Sequence, residues 1–270
     1  MTSPCEVHIF LDDEHKARMV AGKILEQTKL LEKKYNFYNP YSFLSQINQR
    51  TVQKLDLQTE DLLKKAQYFA KQTNGIFDVT MGTLVESRKE KSLARVEEQM
   101  QKLLPFVGVG HFKINRHKIV FDNPHTLIDF GGFVKEYAVD MAVKLLKKHK
   151  IESALVNFGG DIYALGTKPS GESFSIGIKN PKNPQEYLTH VEISNQALTT
   201  SASYERNHKV EEEVFSHIVS KDKIQEEILS VTVISPTTLE SGVFSTTLMI
   251  QPTFPLSLKR ILINKSLTLC

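Results

Sequence analysis

The stretch Leu127-Ile-Asp-Phe-Gly-Gly-Phe-Val-Lys-Glu-Tyr-Ala-Val-Asp140, followed by a lysine-rich run and then by Ala154-Leu-Val-Asn-Phe-Gly-Gly-Asp161, carries two Gly-Gly turns. Between them Ala138, Met141, Ala142, Leu145 and Leu146 recur at helical spacing, which predicts an amphipathic helix. Lys144, Lys147, Lys148 and Lys150 gather at its C-terminal end, where cations complement the helix dipole. Asp129, Gly131, Gly132 and Lys135 gather at its start. Backbone N–H groups there, unshielded by side chains at the glycines, offer a seat for an anion such as a phosphate. The same Gly-Gly pair also serves as an ordinary tight turn, and the pattern alone leaves both readings open.

Towards the N-terminus, Glu6 to Phe10 alternates as a half-buried strand does. From Asp13 a helix is expected, with Ala17, Val20, Ala21, Ile24, Leu25, Thr28 and Leu31 on one face. The aromatic loop Tyr35-Asn-Phe-Tyr-Asn-Pro40 leads into Tyr41–Asn48. Thr59 reads as the cap of a second helix that turns Leu62, Leu63, Ala66, Phe69 and Ala70 inward and stops at Asn74-Gly75. Ser87–Ser92 reads as a solvated loop, Val96–Leu104 as a short helix stopped by Pro105, and Phe112–Phe121 as two strands around Asn115-Arg116-His117.

Beyond the central stretch, strands are expected near 162–165, 174–178, 188–193 and 228–234, and a short one over Val214–Val219 carries His217. Ser245–Ile250 reads as either a helical turn or a strand, and the tail from Gln251 has no helical stripe. The hydroxyl-rich run Thr199–Tyr204 suits either phosphate oxygens or a Ser/Thr turn.

The 270 residues, 40% of them hydrophobic, suffice for one large domain or two fused subdomains. A net charge of +3, spread along the chain, does not call for a nucleic-acid partner. Cys5 and Cys270 sit at opposite ends with neither metal spacing nor a disulfide framework. The start shows no apolar signal core and no lipoprotein signal ahead of Cys5, and no run of about 18 apolar residues occurs, so a cytoplasmic protein without a membrane span is expected. The common nucleophile-elbow, phosphate-loop, zinc-protease and dinucleotide fingerprints are absent from the sequence.

The order of motifs resembles the ApbE-type family of flavin transferases, the FAD:protein FMN transferases. Met1-Thr-Ser-Pro-Cys-Glu-Val7, then Tyr38 with Ser42-Phe-Leu-Ser-Gln-Ile-Asn48, and Gly75-Ile-Phe-Asp-Val-Thr80 answer its first three motifs. Asp129-Phe-Gly-Gly-Phe-Val-Lys-Glu-Tyr-Ala-Val-Asp140, Val156-Asn-Phe-Gly-Gly-Asp161 and Leu198-Thr-Thr-Ser-Ala-Ser-Tyr204 answer the next three. His217-Ile-Val-Ser220 and Ser230-Val-Thr-Val233 with Ser241-Gly-Val-Phe-Ser-Thr246 follow. One such match is weak; eight in one order are specific. They run over about residues 1–250 and leave 251–270 as an atypical tail of a single domain over 1–270.

The resemblance implies an α+β, ApbE-like fold of antiparallel sheets packed with helices, in two intertwined subdomains. Together with the hydrophobic pattern it puts helices near 13–35, 59–73 and 135–149. It also implies FAD as substrate, cleavage at the diphosphate, and attachment of FMN by a phosphoester to a Thr or Ser of an acceptor flavoprotein, with AMP leaving and Mg²⁺ assisting. By the same likeness Met1, Tyr38, Ile76, Phe77, Asp78, Asp129, Lys135 and Asp161 contact FAD, Gly132 (by its carbonyl) and Thr246 hold the metal, and His217 is the base.

The sequence departs from the family pattern at the metal. The family has an Asp four residues before the Thr of the last motif, where this chain has Gly242. Mg²⁺ prefers carboxylate oxygens, so a weakened site and slow transfer are expected, with Gly242→Asp expected to raise metal affinity. Glu136, which stands where the family has glycine, is an alternative source of a carboxylate. Such losses also fit a second reading, a flavin-binding homologue with little or no transferase activity.

Overall fold

The structure is a computed structural model. It describes residues 3–85, 87, 92–202, 207–210, 213–216 and 228–269, with only the backbone described at 93, 184, 207–210 and 213–216. The first half contains β1 (Cys5–Ile9), α1 (Glu14–Lys34), α2 (Phe43–Asn48), α3 (Leu57–Gln72), α4 (Gly82–Val85), α5 (Leu93–Leu103), β2 (Phe112–Asn115) and β3 (Lys118–Phe121). Next come α6 (Val134–Lys148), β4 (Ala154–Phe158), β5 (Asp161–Leu165), β6 (Phe174–Asn180), β7 (Asn183–Ile193) and β8 (Gln196–Ala202). The chain continues through β9 (Asn207–Val210), β10 (Glu213–Ser216), β11 (Ile228–Ser235), α7 (Thr238–Ile250) and β12 (Lys259–Asn264).

The residues divide into two compact units, each assembled from separated segments: Met1–Lys33, Gly132–Ala202 and Gln225–Cys270 in one, Lys34–Gly131 and Ser203–Ile224 in the other. The first unit is built on a six-stranded sheet in the order β1-β4-β5-β8-β11-β12. Every neighbouring pair in it is antiparallel. The alternation of side chains along each strand sorts its residues onto two faces. Ala164, Leu198, Ile234 and Ile263 face the β6–β7 hairpin and close an apolar cluster with Phe174, Ile176, Val191 and Ile193. The other parity, which includes Asp161, Thr199 and Ser201, faces α6 and α7; α6 packs on β4 and β5, and α7 on β8 and β11.

In the second unit, α3 begins one turn earlier than the sequence suggested. Asp56, not Thr59, is the N-cap: its carboxylate accepts the Thr59 N–H at 2.9 Å. The Thr59 hydroxyl is buried and meets the Tyr35 hydroxyl at 2.9 Å, so its polar group serves packing as well as the cap. The helix stops as expected, with Asn74 and Gly75 both at positive φ and the Gly75 N–H reaching back to the Ala70 carbonyl at 2.7 Å.

Two segments were less legible. Ser245–Ile250 forms the last turns of α7, which is buried almost throughout and therefore shows no amphipathic stripe. The tail, read as lacking helix, adds strand β12 beside β11. A buried contact joins α6 to α7: the two oxygens of Asp140 accept the Thr238 N–H at 2.8 Å and the Leu239 N–H at 3.0 Å. Burial pushes the Asp140 carboxyl up and those two N–H donors pull it down. Asp140→Ala is expected to cost about 1–2 kcal/mol, the scale of a lost N-cap, read as a lower urea midpoint at unchanged m-value.

Candidate active site

The segment ahead of α6 is held by side chains from the earlier motifs. Asn48, at the end of α2, pairs with the backbone of Ile128 on both sides: its amide donates to the carbonyl at 2.8 Å and its oxygen accepts the N–H at 2.9 Å. The Thr83 hydroxyl accepts the Leu127 N–H at 2.9 Å, and the Val79 carbonyl accepts the Asp129 N–H at 2.8 Å. Gly82 makes this approach possible, since a Cβ there would lie 2.9 Å from the Leu127 carbonyl oxygen and 3.0 Å from Asp129 Cβ. Asp129 then accepts the Gly131 N–H at 2.8 Å, which shapes the first Gly-Gly turn. Desolvation pushes the Asp129 carboxyl up, opposed by that N–H.

Asp78 is buried and both its oxygens are used. One accepts the Thr80 N–H at 2.8 Å and its hydroxyl at 2.6 Å; the other accepts the Val109 N–H at 3.0 Å. In this arrangement the side chain fixes the turn after Phe77. Phe77 itself is buried and Ile76 half-buried, whereas Tyr38 is 76% exposed with its ring edge-on to Phe37.

The second cluster lies in the other unit, where α6 and α7 cover the sheet. The second Gly-Gly pair, Gly159 and Gly160, turns at positive φ between β4 and β5, with the Asn157 side chain accepting the Gly160 N–H at 2.9 Å. Asp161 follows at once, 2% exposed, and Lys135 from the first turn of α6 meets it at 2.6 Å. Glu136, the next residue, is 6% exposed. Burial first, and then the neighbouring Asp161 carboxyl, push Glu136 up to about 8, with Lys135 pulling the other way. Its side chain hydrogen-bonds that Asp161 carboxyl, and its Oε2 is otherwise buried without a partner among the described residues. So is the hydroxyl oxygen of Thr199, which stands opposite Asp161 in the β5–β8 register.

The Glu136 side chain ends over α7. A Cβ on Gly242 would lie 2.6 Å from Glu136 Cγ and 3.3 Å from its Oε1. One turn further along α7, the Thr246 hydroxyl meets that of Ser201 at 3.2 Å, and Ser201 also meets Ser245 at 2.8 Å. Gly132 has open space where a Cβ would stand. Of the residues singled out in the sequence, Gly132, Lys135, Asp161 and Thr246 therefore belong to this unit, and Tyr38, Ile76, Phe77, Asp78 and Asp129 to the other. His217 and Met1 lie outside the described residues.

A profile of the ApbE family matches residues 1–255. The chain belongs to the ApbE family. Among its curated relatives, the FAD:protein FMN transferase of Vibrio cholerae is 28% identical over 228 residues, 79% of this chain and 67% of the relative. That of Escherichia coli K12 is 24% identical over 203 residues, 70% of this chain. The E. coli match spans 58% of the relative, less than two thirds of its length. The solved ApbE protein of Thermotoga maritima superposes with a TM-score of 0.88 at 23% identity, over 99% of this chain and 93% of that one. The flavin transferase ApbE of V. cholerae superposes with a TM-score of 0.82 at 22% identity, over 98% and 91%. At those identities the structural likeness establishes the ApbE fold.

The expected α+β architecture of antiparallel sheets with packed helices is thus the observed one. The family signature hid two positioning residues. Asn48 and Asp140 stand inside recognisable motifs, yet only the structure shows that they hold the Asp129 segment and the start of α7. Their polar side chains at the edge of apolar runs were the available signal. Among the described residues no helix is long and apolar enough to cross a membrane.

Proposed function

We propose that this chain is an FAD:protein FMN transferase, acting as one functional domain over residues 1–270. It takes FAD, breaks the diphosphate, and joins FMN by a phosphoester to a Thr or Ser hydroxyl of an acceptor flavoprotein, releasing AMP. The observation that carries this reading is the family match over 1–255, which includes both Gly-Gly turns and the start of α6. The curated relatives are named FAD:protein FMN transferase, which supports transfer of FMN from FAD to a protein.

Phosphoryl transfer asks a protein mainly to position its reactants and to stabilise charge. The N-terminal end of α6 suits the diphosphate, with the backbone of Gly131 and Gly132 leading into it and no side-chain cap on the helix. Lys135 adds a cation in the first turn. Asp129 and Asp161 are assigned to FAD, as are Ile76, Phe77 and Asp78, with Tyr38 offering an exposed ring to the flavin. His217 is assigned the proton of the acceptor hydroxyl, and Met1 a flavin contact. Mg²⁺, when bound, would offset diphosphate charge, and the Gly132 carbonyl and the Thr246 hydroxyl are assigned to hold it. The Glu136 carboxyl, which ends against α7 at Gly242, one turn before Thr246, fits a hard cation.

The test is incubation with FAD, Mg²⁺ and an acceptor domain carrying a Thr/Ser target. An acceptor mass increased by one FMN, with matching AMP release, is expected, and His217→Ala should abolish both. Tight FAD binding with no adduct would instead support the flavin-binding homologue, a reading favoured by the absence of a carboxylate at Gly242.

A further inference from the structure

Glu136 is a buried acid without an evident structural reason. Its backbone site is an ordinary first-turn position of α6, its side chain hydrogen-bonds the neighbouring Asp161 carboxyl, and its Oε2 meets no other partner among the described residues. Two buried acids in contact are held together either by a proton that one of them keeps or by a cation that takes that proton's place. Three further observations bear on which ligand. A second carboxylate, Asp161, stands beside it, and two adjacent buried acids suit a cation. The opposing helix has no side chain at Gly242, and the Glu136 stem fills that space at 2.6 Å from where a Cβ would be. The next position along that face of α7 is Thr246, one turn away, with Ser245 and Ser201 hydroxyls around it. Among the described residues no three His, Cys, Asp or Glu side chains form a metal cluster. A small hard cation that rides on a diphosphate needs only one or two protein carboxylates, the phosphates supplying the rest.

We infer that Glu136 of α6 is the carboxylate through which this chain holds its divalent cation, delivered into the space that Gly242 of α7 leaves open. The acid has changed helices while its end stays against the face of α7 that carries Thr246. This deepens the transferase reading and rests on it for the diphosphate partner. It replaces the expectation of a site reduced to one hydroxyl and one carbonyl.

The test uses the full chain and Mn²⁺ in place of Mg²⁺, with free Mn²⁺ followed by electron paramagnetic resonance in the presence and absence of FAD. Glu136→Gln keeps the shape and removes the charge, and is expected to weaken Mn²⁺ binding by roughly tenfold or more, with FAD affinity measured without metal unchanged. The exchange Glu136→Gly with Gly242→Asp returns an acid to the same space from the other helix. It is expected to bind Mn²⁺ within a few-fold of the parent. A Glu136→Gln protein that unfolds at the parental temperature and binds Mn²⁺ as tightly would overturn the inference, since a merely protonated structural acid behaves that way. Should Glu136→Gln fail to fold, the exchange variant decides: folded but without Mn²⁺ affinity, it overturns the inference as well. A loss of Mn²⁺ on Glu136→Gln in a protein that makes no FMN adduct would keep the cation site and remove only the transferase reading.

Discussion

Placing an aspartate at position 242 is expected to destabilise the protein by about 2–3 kcal/mol and to leave metal affinity no better than before. The sequence suggests the opposite outcome, because Gly242 occupies the family's Asp position and lies one turn from Thr246. The assumed helix is there: both residues belong to α7. The space is not. A Cβ at 242 would press to 2.6 Å from Glu136 Cγ, and the new carboxyl would add a third acid to a buried pair. Interiors are packed too tightly for the stem of Glu136 to yield without displacing its neighbours. Urea unfolding of Gly242→Asp measures the cost. A variant as stable as the parent, with tighter Mn²⁺ binding, would show that Glu136 can swing away and that the space is shared.

Removing the cation beside these acids is expected to have the largest effect. Lys135→Ala should cost about 3–5 kcal/mol near pH 8, because the Asp161 carboxylate, 2% exposed, loses the cation that meets it at 2.6 Å. The cost should shrink towards pH 5. The sign follows from Glu136, whose carboxyl is pushed from an ordinary 4.5 up to about 8 in the folded protein. Between those values the folded state holds a proton that the unfolded chain releases, so stability is lost as pH rises through the window. Lys135 pulls Glu136 down; without it Glu136 rises further and the loss steepens on the alkaline side. Near pH 5, well below the folded-state value, the folded parent and variant both keep that proton, so Glu136 adds nothing to the difference between them. Denaturation curves at pH 5 and pH 8.5 separate the two regimes, and equal costs at both would refute the charge argument. In the proposed function the same substitution weakens FAD binding by roughly 1–3 kcal/mol, the scale of a charge-assisted hydrogen bond.

The parts of the fold that follow a simple period were legible in the chain. The stripe Val20, Ile24, Thr28 and Leu31 became the buried face of α1, and the stop at Asn74-Gly75 became the end of α3. What failed did so for physical reasons. α7 is enclosed on nearly every side, with Ser241, Ser245 and Thr247 buried among its apolar residues, and a helix without a solvent face carries no periodic signal to separate it from a strand. β12 lies in a short tail whose pairing with β11 is a long-range choice that no local window contains. The motif order singled out Asp129, Lys135 and Asp161, and of these Lys135 and Asp161 meet as an ion pair. The relation of Glu136 to Gly242 was beyond reach. It depends on two helices 106 positions apart meeting at one spot, and only the packing of α6 on α7 reveals that a loss at one position and a gain at the other concern the same volume.

Asp140 also limits where this chain can tolerate insertions and deletions. Glu136 and Asp140 are four apart on α6 and so lie on one face. The first meets α7 at Gly242, and the second holds the N–H groups of Thr238 and Leu239, about one turn earlier. The two helices are thus keyed to each other at two points, with matching spacing on both. A residue added or removed between 136 and 140, or between 239 and 242, rotates one key by about 100° and leaves the other in place. Length changes in homologous chains should therefore collect in the turns outside these two intervals, while the intervals themselves keep a fixed count even where their residues differ.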